Sequence, residues 1–170
     1  SFDLLKFIEE YVESLKIRSN NFYKVILDLD AIKDDGFIGV YIEGDKDFLR
    51  KAFDNIVGNA EKHAFDEGLN NGNQNKIKIE LLYDFTDFTV QIDFSNTGKP
   101  LPLEITLDSM VRRGSSSGNN PGDGIGLWFV NDVMKLHKGS FTFTDETGPD
   151  GIEDEYVTTM ELTFPIIPAL

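Results

Sequence analysis

Residues Asn55–His63 read Asn-Ile-Val-Gly-Asn-Ala-Glu-Lys-His, within a segment whose apolar residues recur every three or four positions. That spacing predicts a helix from Lys46 to Phe65 with Asp45 as its N-cap. One polar stripe would run beside its apolar face, formed by Asn55, Asn59, Lys62 and His63. Two carboxamides and two potential cations suit a triphosphate with a divalent cation, although polar residues at this spacing usually form a solvated helix face.

The segments on either side of this helix predict the rest of the fold. Helical spacing recurs at 2–16 and 125–137, and the long segment Ser95–Asp123, rich in Gly, Ser, Asn and Pro, is typical of a functional lid. Strands are predicted at Tyr23–Leu29, Gly36–Ile42, Lys76–Tyr83, Phe88–Phe94, Ser140–Thr144 and Tyr156–Phe164. This order favours a single α/β domain over residues 1–170, a two-layer sandwich with a mixed β-sheet and three main helices on one face.

Two further motifs are weak when taken alone. Ser95-Asn96-Thr97-Gly98 follows a strand, where Asn96 can present an oxygen to an exocyclic amine and Gly98 lets the backbone approach a flat ring. An ordinary turn is the alternative. Gly122-Asp123-Gly124-Ile125-Gly126-Leu127 opens a helix, where free backbone N–H groups favour phosphate. It is neither a Rossmann fingerprint nor a Walker motif.

Composition narrows the functional classes. Sixteen basic and thirty acidic residues give a formal net charge of −14, which disfavours nucleic acid and anionic membrane surfaces as partners. The absence of cysteine excludes disulfides and thiolate zinc sites and fits a cytoplasmic compartment. The sequence contains no apolar run of ~20 residues. Because it opens without Met, we expect a piece of a longer protein, which can itself be anchored in a membrane.

Taken together and in this order, the three motifs resemble the N, G1 and G2 boxes of the GHKL superfamily. This group contains histidine kinases, gyrase-type topoisomerases, Hsp90 chaperones and mismatch-repair ATPases. The resemblance implies the Bergerat fold, with ATP and Mg²⁺ as ligands and Asn59 as the Mg²⁺ ligand. Asn96 stands where most relatives have an Asp that accepts the adenine amino group, and Pro100 replaces a second glycine. Both departures imply weaker nucleotide binding, because a carboxamide lacks the charge of a carboxylate.

The resemblance also implies a set of nucleotide-binding positions. They are Asn55, Asn59, Lys62, His63, Asn96, Gly98, Gly122, Gly124, Ile125, Gly126 and Leu127. Catalytic roles fall to Asn55, Lys62, Arg112 and Arg113. The two arginines lie in the lid region, where they would reach the γ-phosphate on closure. Plain surface charge is the alternative for both.

Asn55 separates kinase from hydrolase within this superfamily. Members that hydrolyse ATP generally carry a Glu at this position to activate water, and a carboxamide cannot take a proton. Glu61 lies about 160–200° around the helix from Asn59 and cannot substitute. The resemblance is therefore to a sensor histidine kinase, whose expected partners are a histidine-containing dimerisation domain of the same parent protein and a downstream response regulator.

The phosphate acceptor is expected outside this sequence. Neither His63 nor His137 precedes an acidic residue, as an acceptor typically does, and His137 is expected to act as a helix C-terminal charge or polar cap. Two alternatives stay open. One is a self-contained ATPase or ATP-gated switch, and the other is a degenerate interaction module, for which Asn96 and Pro100 are the best arguments.

Overall fold

The main sheet has five strands within the part of the chain that the computed structural model describes, residues 1–34, 39–65, 75–101, 106–111, 125–145 and 156–167. In chain order the helices are α1 (Leu4–Ser19), α2 (Asp30–Asp34), α3 (Lys46–His63), α4 (Leu107–Met110) and α5 (Ile125–Leu136). The strands are β1 (Phe2–Asp3), β2 (Lys24–Asp28), β3 (Tyr41–Ile42), β4 (Lys76–Asp84), β5 (Thr89–Asn96), β6 (Ser140–Asp145) and β7 (Thr158–Pro165).

The strand order of the main sheet is β2-β4-β5-β7-β6. β2 runs parallel to β4, and the remaining pairs are antiparallel. The register aligns Ile79 with Phe94, Phe94 with Met160 and Met160 with Phe143, so that one face of the sheet is apolar across its width. The predicted mixed α/β sandwich is confirmed.

Three amphipathic helices supply the apolar face with its cover. Buried residues of α1 and α3 recur at helical spacing, and the core is one continuous cluster that also takes in Val130, Val133 and Met134 of α5. α3 and α5 run antiparallel. Gly126 approaches Asn55, and His137, just past the end of α5, contacts Asp45 at the start of α3.

The N-terminal region departs from the predicted elements. Phe2 and Asp3 form a strand rather than the first turn of a helix, and they pair with Tyr41 and Ile42 outside the main sheet. Asp3 caps α1 instead, since its Oδ1 accepts from Leu5 N at 3.0 Å. Of the predicted strand at Gly36–Ile42, Tyr41 and Ile42 form a strand, which belongs to this separate pair, and residues 36–38 lie outside the described ranges.

α3 begins where its cap predicts and ends earlier than expected. Asp45 Oδ1 accepts from Asp47 N at 2.8 Å and from Phe48 N at 3.1 Å. At the other end Lys99 N donates to Ala64 O at 2.9 Å, so the loop after β5 takes up a carbonyl at the helix terminus.

His137 fastens α5 to α3 through both ring nitrogens. Its Nδ1 lies 2.7 Å from Val133 O, and its Nε2 accepts from Asp45 N at 3.0 Å. It is thus a polar cap of α5, one of the two roles expected for it.

No helix in the described ranges combines the length and apolar character needed to cross a bilayer.

The face of the sheet opposite the helices carries a row of carboxylates. In register across four strands lie Asp28, Glu80, Asp93 and Glu161. Burial, followed by repulsion from Glu161 and Glu80, raises the pKa of Asp93 to about 6, although a hydrogen bond from Gln91 and the charge of Lys78 oppose this. The folded chain therefore binds this proton more tightly than the unfolded chain does.

This row predicts how stability varies with pH. Because the folded-state pKa of Asp93 is raised, its destabilising effect is complete above about pH 7 and is relieved as the pH falls through about 6 towards ~4. Asp93→Asn should raise the free energy of unfolding by about 1 kcal/mol at pH 7.5 and by almost nothing near pH 4. Urea unfolding across this range measures it, with exposed Asp87→Asn as the control. A constant difference between parent and Asp93→Asn at all pH values would contradict the assignment.

Candidate functional site

α3 brings the polar stripe next to the apolar core. Its buried face consists of Leu49, Ala52, Phe53, Ile56, Val57 and Ala60. Asn55 and Asn59 lie at the margin of that face and are half-buried, whereas Lys62 and His63 in the last turn are exposed. The stripe is therefore only partly the solvated face that helical spacing alone would favour.

An open pocket lies between α3 and the edge of the sheet where β4 begins and β5 ends. Its walls are Ile56, Val57 and Ala60 of α3, with Ile77, Phe94, Ser95 and Asn96 from the sheet. About 180 Å³ of space, open solvent included, lies among these residues, and its enclosed part has room for about one water molecule. The lining is mostly apolar, which suits a flat ring better than a phosphate.

Asn96 provides a polar group in this pocket. It is 8% exposed, and its Nδ2 donates to Thr97 O at 3.0 Å. In this orientation Oδ1 remains an acceptor, and no donor to it lies among the described residues. An exocyclic amine is the kind of group that an amide oxygen at this position can bind.

Thr158 is a residue of the site that the sequence analysis missed. It lies directly opposite Asn96 across the β5–β7 pair and is 3% exposed. Both side chains lie on the helix-covered face of the sheet, so a hydroxyl stands beside the amide. Only the strand register brings the two together, and register is not readable from a lone Thr in a strand.

Gly98 is needed where the loop after β5 meets α3. Its φ is +110°, and a Cβ there would collide with the carbonyl of Ala64 at the end of α3. The glycine thus lets the loop after β5 lie against the helix, and its close approach to a flat ring stays a prediction. Thr97 holds the same loop against the start of β4, because its Oγ1 accepts from Lys76 N at 2.9 Å.

The start of α5 meets the stripe at Asn55. A Cβ placed on Gly126 would lie 3.3 Å from Asn55 Oδ1. The first N–H groups of any helix lack partners within the helix, so at the start of α5 a helix N-terminus and a carboxamide meet. The side chain of Leu127 is buried in the core, and only its backbone can serve a ligand. Arg112, Arg113, Gly122, Gly124 and the side chain of Ile125 lie outside the described part of the chain.

The acidic residues of α3 point away from the stripe. Asp54 Oδ1 accepts from Arg18 Nη2 at 2.7 Å and from Tyr11 Oη at 3.0 Å, and Glu61 Oε1 accepts from Tyr23 Oη at 2.7 Å. In the described ranges no three His, Asp or Glu side chains converge as metal ligands. A cation held at the stripe would take most of its ligands from phosphate oxygens and water, as Mg²⁺ commonly does.

The stripe, the pocket and the start of α5 all lie in a segment that matches the profile of one sequence family. The profile of the Histidine kinase-, DNA gyrase B-, and HSP90-like ATPase family matches residues 44–167, well over half of the chain. The chain belongs to this family. The GHKL resemblance is therefore confirmed. No curated protein sequence matches this member of the ATPase family.

Solved structures agree with the family assignment. The fold is similar to that of a mycobacterial sensor histidine kinase, MprB, with a TM-score of 0.70 at 17% identity over 99% of each chain. It is also similar to the nucleotide-free catalytic domain of histidine kinase ThkA, with a TM-score of 0.72 at 18% identity over 98% of this chain and 97% of that one. The fold is also similar to that of the Acinetobacter baumannii histidine kinase AdeS, with a TM-score of 0.64 at 15% identity over 98% of this chain and 66% of that one. At such low sequence identity, the structural similarity shows a shared fold and nothing more.

Two glycines of this ATPase domain give opposite expectations for stability. Gly98→Ala should lower the free energy of unfolding by ~2 kcal/mol or more, because the new Cβ meets Ala64 in a backbone conformation that side chains rarely adopt. Gly58→Ala is the control, since nothing lies within 4 Å of its Cβ position and alanine favours a helix by about 1 kcal/mol. Denaturant unfolding compares them. Equal stabilities would contradict the contact between the loop and α3.

Proposed function

We propose that this chain is the ATP-binding catalytic domain of a sensor histidine kinase. Membership of the ATPase family and the fold shared with histidine kinases support this proposal. The observation that carries it is the arrangement on α3, where Asn55 and Asn59 lie between the Asn96 pocket and the start of α5. An apolar slot with one acceptor thus adjoins a polar edge at a helix N-terminus.

We assign the base to the pocket and the phosphates to the stripe. The adenine ring would lie between Ile56, Val57 and Ala60 on one side and the sheet on the other, with its amino group donating to Asn96 Oδ1. Thr158 is close enough to Asn96 to assist. The phosphates would extend along the stripe towards Gly126, where the N–H groups of α5 favour negative charge. Lys62 and His63 can add positive charge from the exposed end of α3.

Asn59 is the proposed Mg²⁺ ligand. Its half-buried carboxamide presents a hard oxygen at the middle of the stripe, and a few protein oxygens with phosphates and water suit Mg²⁺. When bound, the cation would neutralise charge on the transferred phosphoryl group. The protein's part is to hold the phosphates in place and to keep carboxylates away from them, which the outward contacts of Asp54 and Glu61 achieve.

The same contacts favour transfer to a protein side chain over hydrolysis. Asn55 cannot accept a proton, and the two nearest carboxylates on α3 are engaged on its other side. A nucleophile must then come from elsewhere. We propose a histidine on a dimerisation domain of the same parent protein, with a response regulator downstream and a cytoplasmic location for this domain.

Titration with a non-hydrolysable ATP analogue tests the site. The parent should bind it more tightly with Mg²⁺ than with EDTA. Asn59→Ala should abolish that gain, a loss of at least about tenfold or ~1.4 kcal/mol, whereas Asn59→Asp keeps an oxygen ligand and should retain it. Asn131→Ala removes the same group from α5 and is the matched control. Undiminished magnesium dependence in Asn59→Ala would remove Asn59 as the ligand.

The chain is expected not to phosphorylate itself. His137 is 5% exposed, and both of its ring nitrogens are hydrogen-bonded. His63 lies in the last turn of α3, the helix proposed to bind the nucleotide, rather than on a separate acceptor domain. Incubation with labelled ATP and Mg²⁺ should yield neither acid-labile phosphohistidine nor steady phosphate release. Label on histidine would overturn the separate-acceptor proposal, and sustained release would favour a self-contained ATPase.

A further inference from the structure

The side of α3 that faces α1 carries two hydrogen-bonded carboxylates with no part in the nucleotide site described above. Asp54 accepts from Tyr11 and Arg18 of α1, and Glu61 accepts from Tyr23 just before β2. Tyr11 and Tyr23 are 1% and 2% exposed, so both hydroxyls donate from positions fixed by the core. We call the contacts of Asp54 with Tyr11 and Arg18, and the contact of Glu61 with Tyr23, the two α3 clamps.

The clamps lie at a defined angle from the asparagine stripe. At 100° per residue, Asp54 and Glu61 share one side of α3, about 130° from the side shared by Asn55 and Asn59. Seven residues separate the clamps, which is about 10 Å along the helix axis. Two fixed points on one side of a helix resist its rotation, and a rotation would move the asparagines on the other side.

Hydrogen bonds are directional, whereas the apolar packing that holds α3 on the sheet is not. A rotation of about 10° displaces an atom 5–6 Å from the helix axis by about 1 Å. A Mg²⁺ ligand oxygen tolerates a few tenths of an ångström, and misplacement by 1 Å can cost about a hundredfold in a reaction. The position of Asn59 is therefore sensitive to small rotations that the core alone would permit.

We infer that Asp54 and Glu61 are positioning residues, which fix the rotation of α3 through α1 and the segment before β2 and so aim Asn55 and Asn59. The inference rests on the proposed nucleotide site. Neither carboxylate touches the nucleotide, and each acts through its tyrosine. Removal of the clamps should weaken the magnesium-dependent part of binding and leave the adenine pocket intact.

Both clamps keep their protons on the donors. Burial, then the charge of Asp54, raises the pKa of Tyr11 above its usual value, and burial followed by the hydrogen bond to Glu61 does the same for Tyr23. The hydrogen bond to Asp54 likewise raises the pKa of Arg18. Tyr11 and Tyr23 therefore remain protonated hydrogen-bond donors at neutral pH.

The test compares the affinity of the non-hydrolysable ATP analogue with Mg²⁺ and with EDTA, and takes the ratio. The parent must show a ratio well above one. Without that ratio the proposed function and this inference both fail. In Asp54→Ala/Glu61→Ala the ratio should fall about tenfold, while affinity in EDTA changes little. Simple electrostatics predicts instead that affinity in EDTA rises, because removal of two negative charges favours the metal-free, more highly charged anion most.

Three further variants complete the design. Glu9→Ala/Glu10→Ala removes two exposed charges from α1 and should keep the parent ratio. Asp54→Asn/Glu61→Gln retains acceptor oxygens and should restore much of the ratio. Tyr11→Phe/Tyr23→Phe serves if the alanine pair does not fold, and it should lower the ratio without a charge change. An unchanged ratio in a folded clamp variant, beside a magnesium-dependent parent, would overturn the inference and leave the proposed function standing.

Discussion

The fold and the site both depend on one helix that must satisfy three neighbours at once. α3 buries one face on the sheet, meets α1 through Asp54 and the segment before β2 through Glu61, and presents Asn55 towards α5. An α-helix has room for three such faces only because its side chains project at 100° intervals. A change in rotation that suits one neighbour displaces the other two, so the core, the interhelical contacts and the polar edge form a single geometric problem.

The sequence predicted the elements with strong periodicity and failed where partners are distant. α3, α5 and the two hairpins followed from apolar spacing and from the Asp45 cap. The pairing of Phe2 with Ile42 joins two segments that are forty residues apart, and no local sequence pattern predicts that they lie close in space. Gly98 was identified as special, but its need to avoid a carbonyl more than thirty residues earlier in the chain is visible only in the fold.

The same distinction applies to the site. Asn55, Asn59 and Asn96 stand out because polar residues interrupt apolar periodicity or follow a strand, and a sequence can reveal this. Thr158 becomes relevant only through the β5–β7 register, and the hydrogen bonds of Asp54 and Glu61 only through the packing of Tyr11 and Tyr23. Helix geometry already turns Glu61 away from Asn59, and tertiary contacts hold both carboxylates in place, which favours phosphoryl transfer over hydrolysis in this proposal.

Gly44 lies against the ring of His137, and this has a consequence for the history of the domain. A side chain at position 44 would occupy the space of the imidazole ring, which in turn accepts from the N–H of Asp45, the N-cap of α3. Position 44 therefore cannot gain a side chain while His137 keeps its place. A descendant that gains a side chain at 44 must first accept a smaller residue at 137 and find another acceptor for Asp45 N. The two sites should therefore drift as a pair among relatives, although 93 residues of chain separate them.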